Sequence, residues 1–285
     1  MNDQKGIALV TGASSGIGRE VAIRLSGRNY RVIAVARRKE RLDELARNNS
    51  NIVPYRVDLS DERQVEGLCA ELQDMESPID VLINNAGYSI RGPIESIPID
   101  EIKRIFQVNL FSMLRITQAC LPGMRAKRKG FIINISSIVG KFVFPLSGIY
   151  ASTKFALEAI NDALRMELRP FGIRVICIRP GVINTEFNEV ANRLSKRISE
   201  QIPKDYEPIA DAVGKSMQRL FFNVEIPGPQ LIANIVIDAI ESKRAKSVYE
   251  AGPFVVEILG KRFMLDDQSF DRFWTERCGL AGLKV

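Results

Sequence analysis

The sequence predicts an α/β fold: a doubly wound parallel sheet of about seven strands with helices on both faces. Three observations carry that expectation. Short β-rich apolar runs alternate along the chain with longer runs of helical period, the order of a parallel βαβ sheet. The runs are close to continuously apolar, FIINIS at 131–136 most plainly, as strands covered on both faces must be. The first run passes through a glycine-rich turn straight into a helix, a connection suited to holding phosphate groups.

At 285 residues with no linker-like stretch, the chain fits one domain. Within it we expect a cofactor and catalytic core over 1–185, a substrate lid and helices over 186–245, and a last strand with a helical C-terminal extension over 246–285. The composition, 46% hydrophobic and 26% charged, is that of a globular protein. There is no histidine, which removes Ser-His-Asp and Cys-His catalysis together with every histidine-held metal site. Proton transfer must then use Tyr, Lys, Asp or Glu, and no metal is expected. Cys69, Cys120, Cys177 and Cys278 are scattered without a C-x-x-C pair and read as reduced, mostly buried thiols.

The net charge of +6 is diffuse apart from Arg125, Lys127, Arg128 and Lys129. That cluster closes a long helical pattern, where cations suit the helix dipole, so no nucleic-acid partner is expected. No apolar run reaches the length of a bilayer span, and the N-terminal one runs directly into the glycine turn. A cytoplasmic protein without an integral membrane segment follows.

In chain order, the strand Ile7–Val10 enters the turn Thr11–Gly18, whose glycines let the backbone approach a pyrophosphate while the next helix offers free amides. Arg31–Ala36 reads as the second strand. In dinucleotide folds a carboxylate here receives the ribose hydroxyls, whereas arginine accommodates a 2′-phosphate. This chain has Arg37, Arg38 and Lys39 and no carboxylate, so NADP(H) is favoured over NAD(H). The other reading, a solvated start to the helix Glu40–Asn48, sets three cations against a helix dipole.

The third strand, Ile52–Val57, ends in Asp58-Leu59, and Ser60 or Asp61 can cap the helix Glu62–Met75. The fourth, Ile79–Ile83, ends in Asn84-Asn85-Ala86-Gly87. A long helical pattern runs from Ile99 to Lys127, its apolar series interrupted by Asn109, a buried amide that needs partners. Gly172–Arg179 is the sixth strand, followed by Pro180-Gly181-Val182-Ile183-Asn184-Thr185.

Between these last two stretches lies the chemistry. Tyr150 and Lys154, at i and i+4 of an apolar-periodic run, share one face of a helix. A cation ~5 Å from a phenol at an effective dielectric of ~20 contributes ~3 kcal/mol, about two pKa units. The lysine is therefore expected to draw the tyrosine towards catalytic range. Ser137 ends the strand before them, and its hydroxyl can converge with the phenol and ammonium on one carbonyl or carbinol.

Ser137, Tyr150 and Lys154 at this spacing resemble the active-site segment of the short-chain dehydrogenase/reductase family. The turn T-G-x-x-x-G-x-G at 11–18, the N-N-A-G at 84–87 and the P-G-x-x-x-T at 180–185 match its other motifs in order, so the resemblance covers roughly Ile7–Arg193. It implies a Rossmann-type sheet, with Tyr150 as general acid, Ser137 holding the carbonyl oxygen, Lys154 binding ribose hydroxyls, and Asn109 bending its helix and keeping a relay water. A purely structural Asn109 is the alternative. The cofactor seat implied comprises Gly12, Ser14, Ser15, Gly16, Ile17, Gly18, Arg37, Arg38, Asp58, Leu59, Asn85, Ala86, Gly87, Val108, Tyr150, Lys154, Pro180, Gly181, Ile183 and Thr185. In the family the helices corresponding to 99–127 and 149–168 pack across a twofold axis, which implies a homodimer or homotetramer.

Beyond Thr185, Phe187–Ile198 takes the place of the family's mobile lid. Helical patterns follow at Ile209–Phe222 and Leu231–Ile240, and Ser247–Ala251 reads as a seventh strand. The residues after it exceed the length of the family's bacterial acyl-carrier reductases, and the chain is more similar to its steroid- and retinoid-reductase branch. Packing on the protein's own body or contact with a membrane surface are both open to this amphipathic tail. Ser137, Phe144, Tyr150 and Phe187 are expected to face the substrate, amid Tyr88, Ile90, Phe142, Val143, Leu146, Ile149 and Val190, with Arg91 the one charge. A small lipophilic carbonyl or alcohol suits such a lining, although core filling would select the same residues. Two other activities fit the motifs: a 3-oxoacyl thioester reductase, and an NADP-sensing binding protein without chemistry.

Overall fold

The computed structural model describes residues 4–199 and 202–284. Its centre is a seven-stranded sheet in the order β3-β2-β1-β4-β5-β6-β7, with every neighbouring pair parallel. The strands are β1 (Gly6–Thr11), β2 (Tyr30–Ala36), β3 (Ile52–Arg56), β4 (Val81–Asn84), β5 (Gly130–Ile135), β6 (Ile173–Pro180) and β7 (Val248–Ala251). The expected architecture is the observed one.

Side-chain alternation explains why these runs are apolar at every position. Ala8 and Val10 of β1 pack with Val21 and Leu25 of α1 (Gly16–Ser26) and with Val236 and Ile240 of α9 (Gln230–Glu241). Ile7 and Leu9 point the other way, to Leu68 and Leu72 of α3 (Glu62–Asp74) and Ile116 of α5 (Ser112–Lys127). Both parities are covered by helices. Fully buried side chains such as Leu9 and Leu82 each contribute ~1.5–3 kcal/mol to this core.

The strand order reverses between β1 and β4, so the chain leaves the carboxyl ends of these two neighbours in opposite directions and opens a crevice there. Thr11 and Asn85 bind its two rims together. The Thr11 hydroxyl accepts from the amides of Asn85 and Ala86, both at 3.0 Å, and the Asn85 side chain donates to the Thr11 carbonyl at 2.9 Å.

The helical pattern over Ile99–Lys127 is interrupted around Asn109. It consists of α4 (Ile99–Phe106), a π-helical turn at Gln107–Phe111, and α5. The wide turn surrounds Asn109, whose amide is spent on partners outside the helix. Such turns are how an α-helix accommodates a side chain that must reach sideways at a functional site.

After β7 come α10 (Val255–Met264) and α11 (Asp267–Arg277). The indole of Trp274 donates to the Val143 carbonyl at 2.9 Å, and its ring meets Phe142 and Phe144 edge-on at 4.9 and 4.8 Å. The extension thus packs on the loop between β5 and α6 (Gly148–Leu168). Among the described residues no helix is long and apolar enough to cross a membrane.

Candidate active site

Ser137 caps a short 3-10 turn at Ile138–Gly140 just past β5, its hydroxyl accepting from the Val139 amide at 3.3 Å. The phenol of Tyr150, which rises from the first turn of α6, stands near enough for that hydroxyl to act on it. One turn further on, the Lys154 ammonium donates to the Ile135 carbonyl at 2.8 Å and stands 5.9 Å from the centre of the Tyr150 ring. Strand end and helix therefore bring the three expected groups together.

Their electrostatics correct the sequence-based expectation. Burial pushes the Tyr150 phenol well above its ordinary range, and the groups that oppose this are the Ser137 hydroxyl and the Arg91 guanidinium. Burial also lowers Lys154 to about 8, against the pull of Cys177 and Glu158. Lys154 is not among the groups that lower the tyrosine here, and its ammonium is aimed at a backbone carbonyl.

Asn109 is held between two segments. Its side chain donates to the Tyr88 carbonyl at 2.9 Å and to the Thr153 hydroxyl at 3.1 Å, and accepts from the Tyr88 amide at 3.0 Å. It fastens the loop after β4 to α6 beside Lys154, the structural role that the sequence reading kept open. A Cβ on Gly87 would stand 3.2 Å from the Asn109 oxygen and 3.9 Å from the Lys154 nitrogen.

The glycine turn after β1 borders the crevice. Gly12 and Gly16 hold φ of +70° and +55°, the left-handed region that favours glycine. A Cβ on Gly18 would fall 2.5 Å from the Gly12 carbonyl oxygen, so only glycine lets the turn close on α1. Arg38 lies across this turn, donating to the Ser14 hydroxyl at 3.1 and 3.0 Å and to the Ser15 hydroxyl at 2.6 Å. Arg37, its neighbour, turns outward to Asp58 at 3.9 Å. Asp58 also accepts from Ser60, and Asp61 rather than Ser60 caps α3.

Leu59 and Ile183 bury their side chains in the core, which leaves them only backbone to offer a ligand. Val108 lies in the π-helical turn and packs on the same core as Leu59. Gly181 donates to the Ala251 carbonyl at 2.8 Å, and Thr185 comes to 3.3 Å from where a Gly16 Cβ would be. A glycine cradle closed to larger side chains, beside a guanidinium fork, fits the phosphates of a dinucleotide.

On the substrate side, the Phe187 ring lies 5.7 Å from that of Tyr150. Phe144, Val143, Leu146 and Ile94 line an open groove of about 580 Å³. Arg91 is tied to α7 (Phe187–Ser199) through Asn188 and Asn192, each at 3.1 Å.

Sequence reasoning missed a buried charge network directly behind these groups. Glu158, one turn after Lys154, receives two arms of Arg179 at 3.0 and 2.7 Å and the Cys177 thiol at 3.1 Å. Arg179 reaches on to Glu250 of β7 at 2.8 Å, and Lys141 stands 3.4 Å from Glu158. Burial works against the charge of Glu158, yet the Arg179 guanidinium holds its carboxyl below the usual range. One signal was available: Glu158 is a charge on the same helix face as Tyr150 and Lys154. Thr153 and Glu186 carried no comparable signal.

Comparison with known proteins agrees with this geometry. The short chain dehydrogenase family model matches residues 6–195. The 3-ketodihydrosphingosine reductase of Bacteroides thetaiotaomicron is 32% identical over 260 residues, 90% of this chain and 92% of that protein. A short-chain dehydrogenase from Streptomyces avermitilis superposes with a TM-score of 0.80 at 28% identity, covering 97% of both chains. The closed form of a serine dehydrogenase complexed with NADP+ does so with a TM-score of 0.73 at 27% identity, covering 87% of this chain and 94% of that one.

Proposed function

The chain belongs to the short-chain dehydrogenase/reductase family, and from that premise we propose that it is an NADP(H)-dependent oxidoreductase acting on the carbonyl or secondary alcohol of a lipophilic molecule. The observation that carries the reading is the buried Tyr150 phenol, with Ser137 near it and the Lys154 ammonium 5.9 Å from its ring centre.

When bound, the dinucleotide supplies the hydride. The chain's own residues then have the following parts in reduction. Ser137 holds the carbonyl oxygen, and Tyr150 gives it a proton as general acid. A phenol held protonated by burial is in the correct state to donate. Lys154 binds the ribose hydroxyls and brings positive charge to the site, and Asn109 keeps the loop after β4 against α6. The glycine turn seats the pyrophosphate, while Arg38 with Ser14 and Ser15 receives the 2′-phosphate.

The lipophilic substrate is supported by the cluster around Tyr150, in which Ile90, Phe142, Phe144, Phe187 and Trp274 all pack. The likeness to a 3-ketodihydrosphingosine reductase points the same way. The exposed Phe111, Phe155 and Met166 support pairing of subunits through α6 and the π-helical turn before α5. Following NADPH consumption across steroids, retinoids, long-chain ketones, acyl thioesters and small ketones tests the assignment. Turnover restricted to acyl thioesters would support a 3-oxoacyl thioester reductase, and NADPH binding with no turnover on any of them a sensing protein.

A further inference from the structure

The two cations nearest the glycine turn on α2 (Lys39–Arg47) and its cap are held by a carboxylate from the far side of the crevice. Glu186 accepts from Arg38 at 2.7 Å through one oxygen and from Arg41 at 2.5 Å through the other. The arginines, Arg38 first, hold its carboxyl below the usual range. Arg38 meanwhile forks over Ser14 and Ser15. A carboxylate and a phosphate present the same acceptor geometry to a guanidinium. Glu186 is thus bonded to the arginine that the proposed function assigns to the 2′-phosphate.

Its neighbours give that contact a consequence. Thr185 lies against the glycine turn, with its side chain 3.3 Å from where a Gly16 Cβ would be. Phe187 begins α7 and packs its ring 5.7 Å from that of Tyr150. Displacement of Glu186 from Arg38 therefore pulls on the peptide between the cofactor turn and the catalytic phenol.

Resting on the NADP(H) reading, we propose that Glu186 competes with the 2′-phosphate for Arg38, so that it tempers NADP(H) affinity and couples cofactor loading to the start of the lid helix. A phosphate regains at Arg38 the charge-assisted bonds that Glu186 gives up, and Arg41 retains the displaced carboxylate. A ribose with a free 2′-hydroxyl makes no such claim on Arg38.

The test is binding by calorimetry to the full chain and to Glu186→Gln, using NADPH, NADH, adenosine 2′,5′-bisphosphate and AMP. Glu186 is part-exposed, so the variant should fold as the parent does. In Glu186→Gln, NADPH and the bisphosphate should bind at least about fivefold tighter, while NADH and AMP change less than about twofold. Hydrogen exchange supplies an independent readout: the bisphosphate should raise exchange at 186–190 in the parent and leave it unchanged in the variant. Unchanged or weaker NADPH binding by the variant, with the parent still preferring NADPH, overturns the competition alone. A parent that binds NADH as tightly as NADPH overturns the NADP(H) reading and the competition with it.

Discussion

Arg179 grips Glu158 with two of its nitrogens, at 3.0 and 2.7 Å, inside the core and one helical turn from Lys154. The pair joins the catalytic-side helix α6 to β6 immediately before Pro180-Gly181. Breaking a buried pair leaves an uncompensated charge, which costs ~3–5 kcal/mol. Glu158→Gln should lose stability towards the lower end of that range, because Arg179 keeps Glu250. The folded pKa of Glu158 is depressed. Its contribution is therefore fully present above the unfolded value of about 4.3 and lost as pH falls through the folded one. Denaturant unfolding at neutral and acid pH measures both effects; equal stability of parent and variant at neutral pH would count against the pair.

Tyr150→Phe removes the proton donor and keeps the ring. Turnover should fall below detection while the NADPH dissociation constant stays within about threefold of the parent, since the phenol is one contact among many. Normal turnover by this variant would remove Tyr150 from the mechanism.

Lys154 gives a second pH signature, of opposite origin. Its folded value near 8 lies below the unfolded value of about 10.4, so between the two the unfolded chain binds a proton that the folded chain lacks. Stability from this site rises with pH through that window. Compared with Lys154→Met, the parent should gain up to about 3 kcal/mol between pH 8 and 10. A stability difference that is flat with pH would show that the ammonium is not desolvated as described.

The two adjacent arginines should separate. Arg38→Leu removes charge-assisted bonds of ~1.5–3 kcal/mol each, so NADPH binding should weaken about tenfold or more with NADH little changed. Arg37→Asp places a carboxylate at the end of β2 and should move preference towards NADH. Cofactor selectivity that survives both changes would require another phosphate seat.

The strands, their order of appearance and the residues of the site were legible because each depends on short-range signals. Apolar alternation, glycine turns and i, i+4 spacing are written within a few residues, and covering both faces of a sheet leaves apolar runs that nothing else produces. The convergence of Ser137 with Tyr150 is of this kind, a strand end followed by a helix start. Partners distant in the chain are not. The sheet order sets β1 beside β4 and β6 beside β7, and only then do Thr11 meet Asn85, Arg179 meet Glu250 and Arg38 meet Glu186 across 148 positions. Choosing Arg38 over Arg37, or aiming the Lys154 ammonium at Ile135 rather than the phenol, depends on side-chain direction within that assembly. Charge was misjudged for the same reason. A sequence supplies the identity of an ionisable group, whereas its pKa depends on how much water the packed neighbours remove.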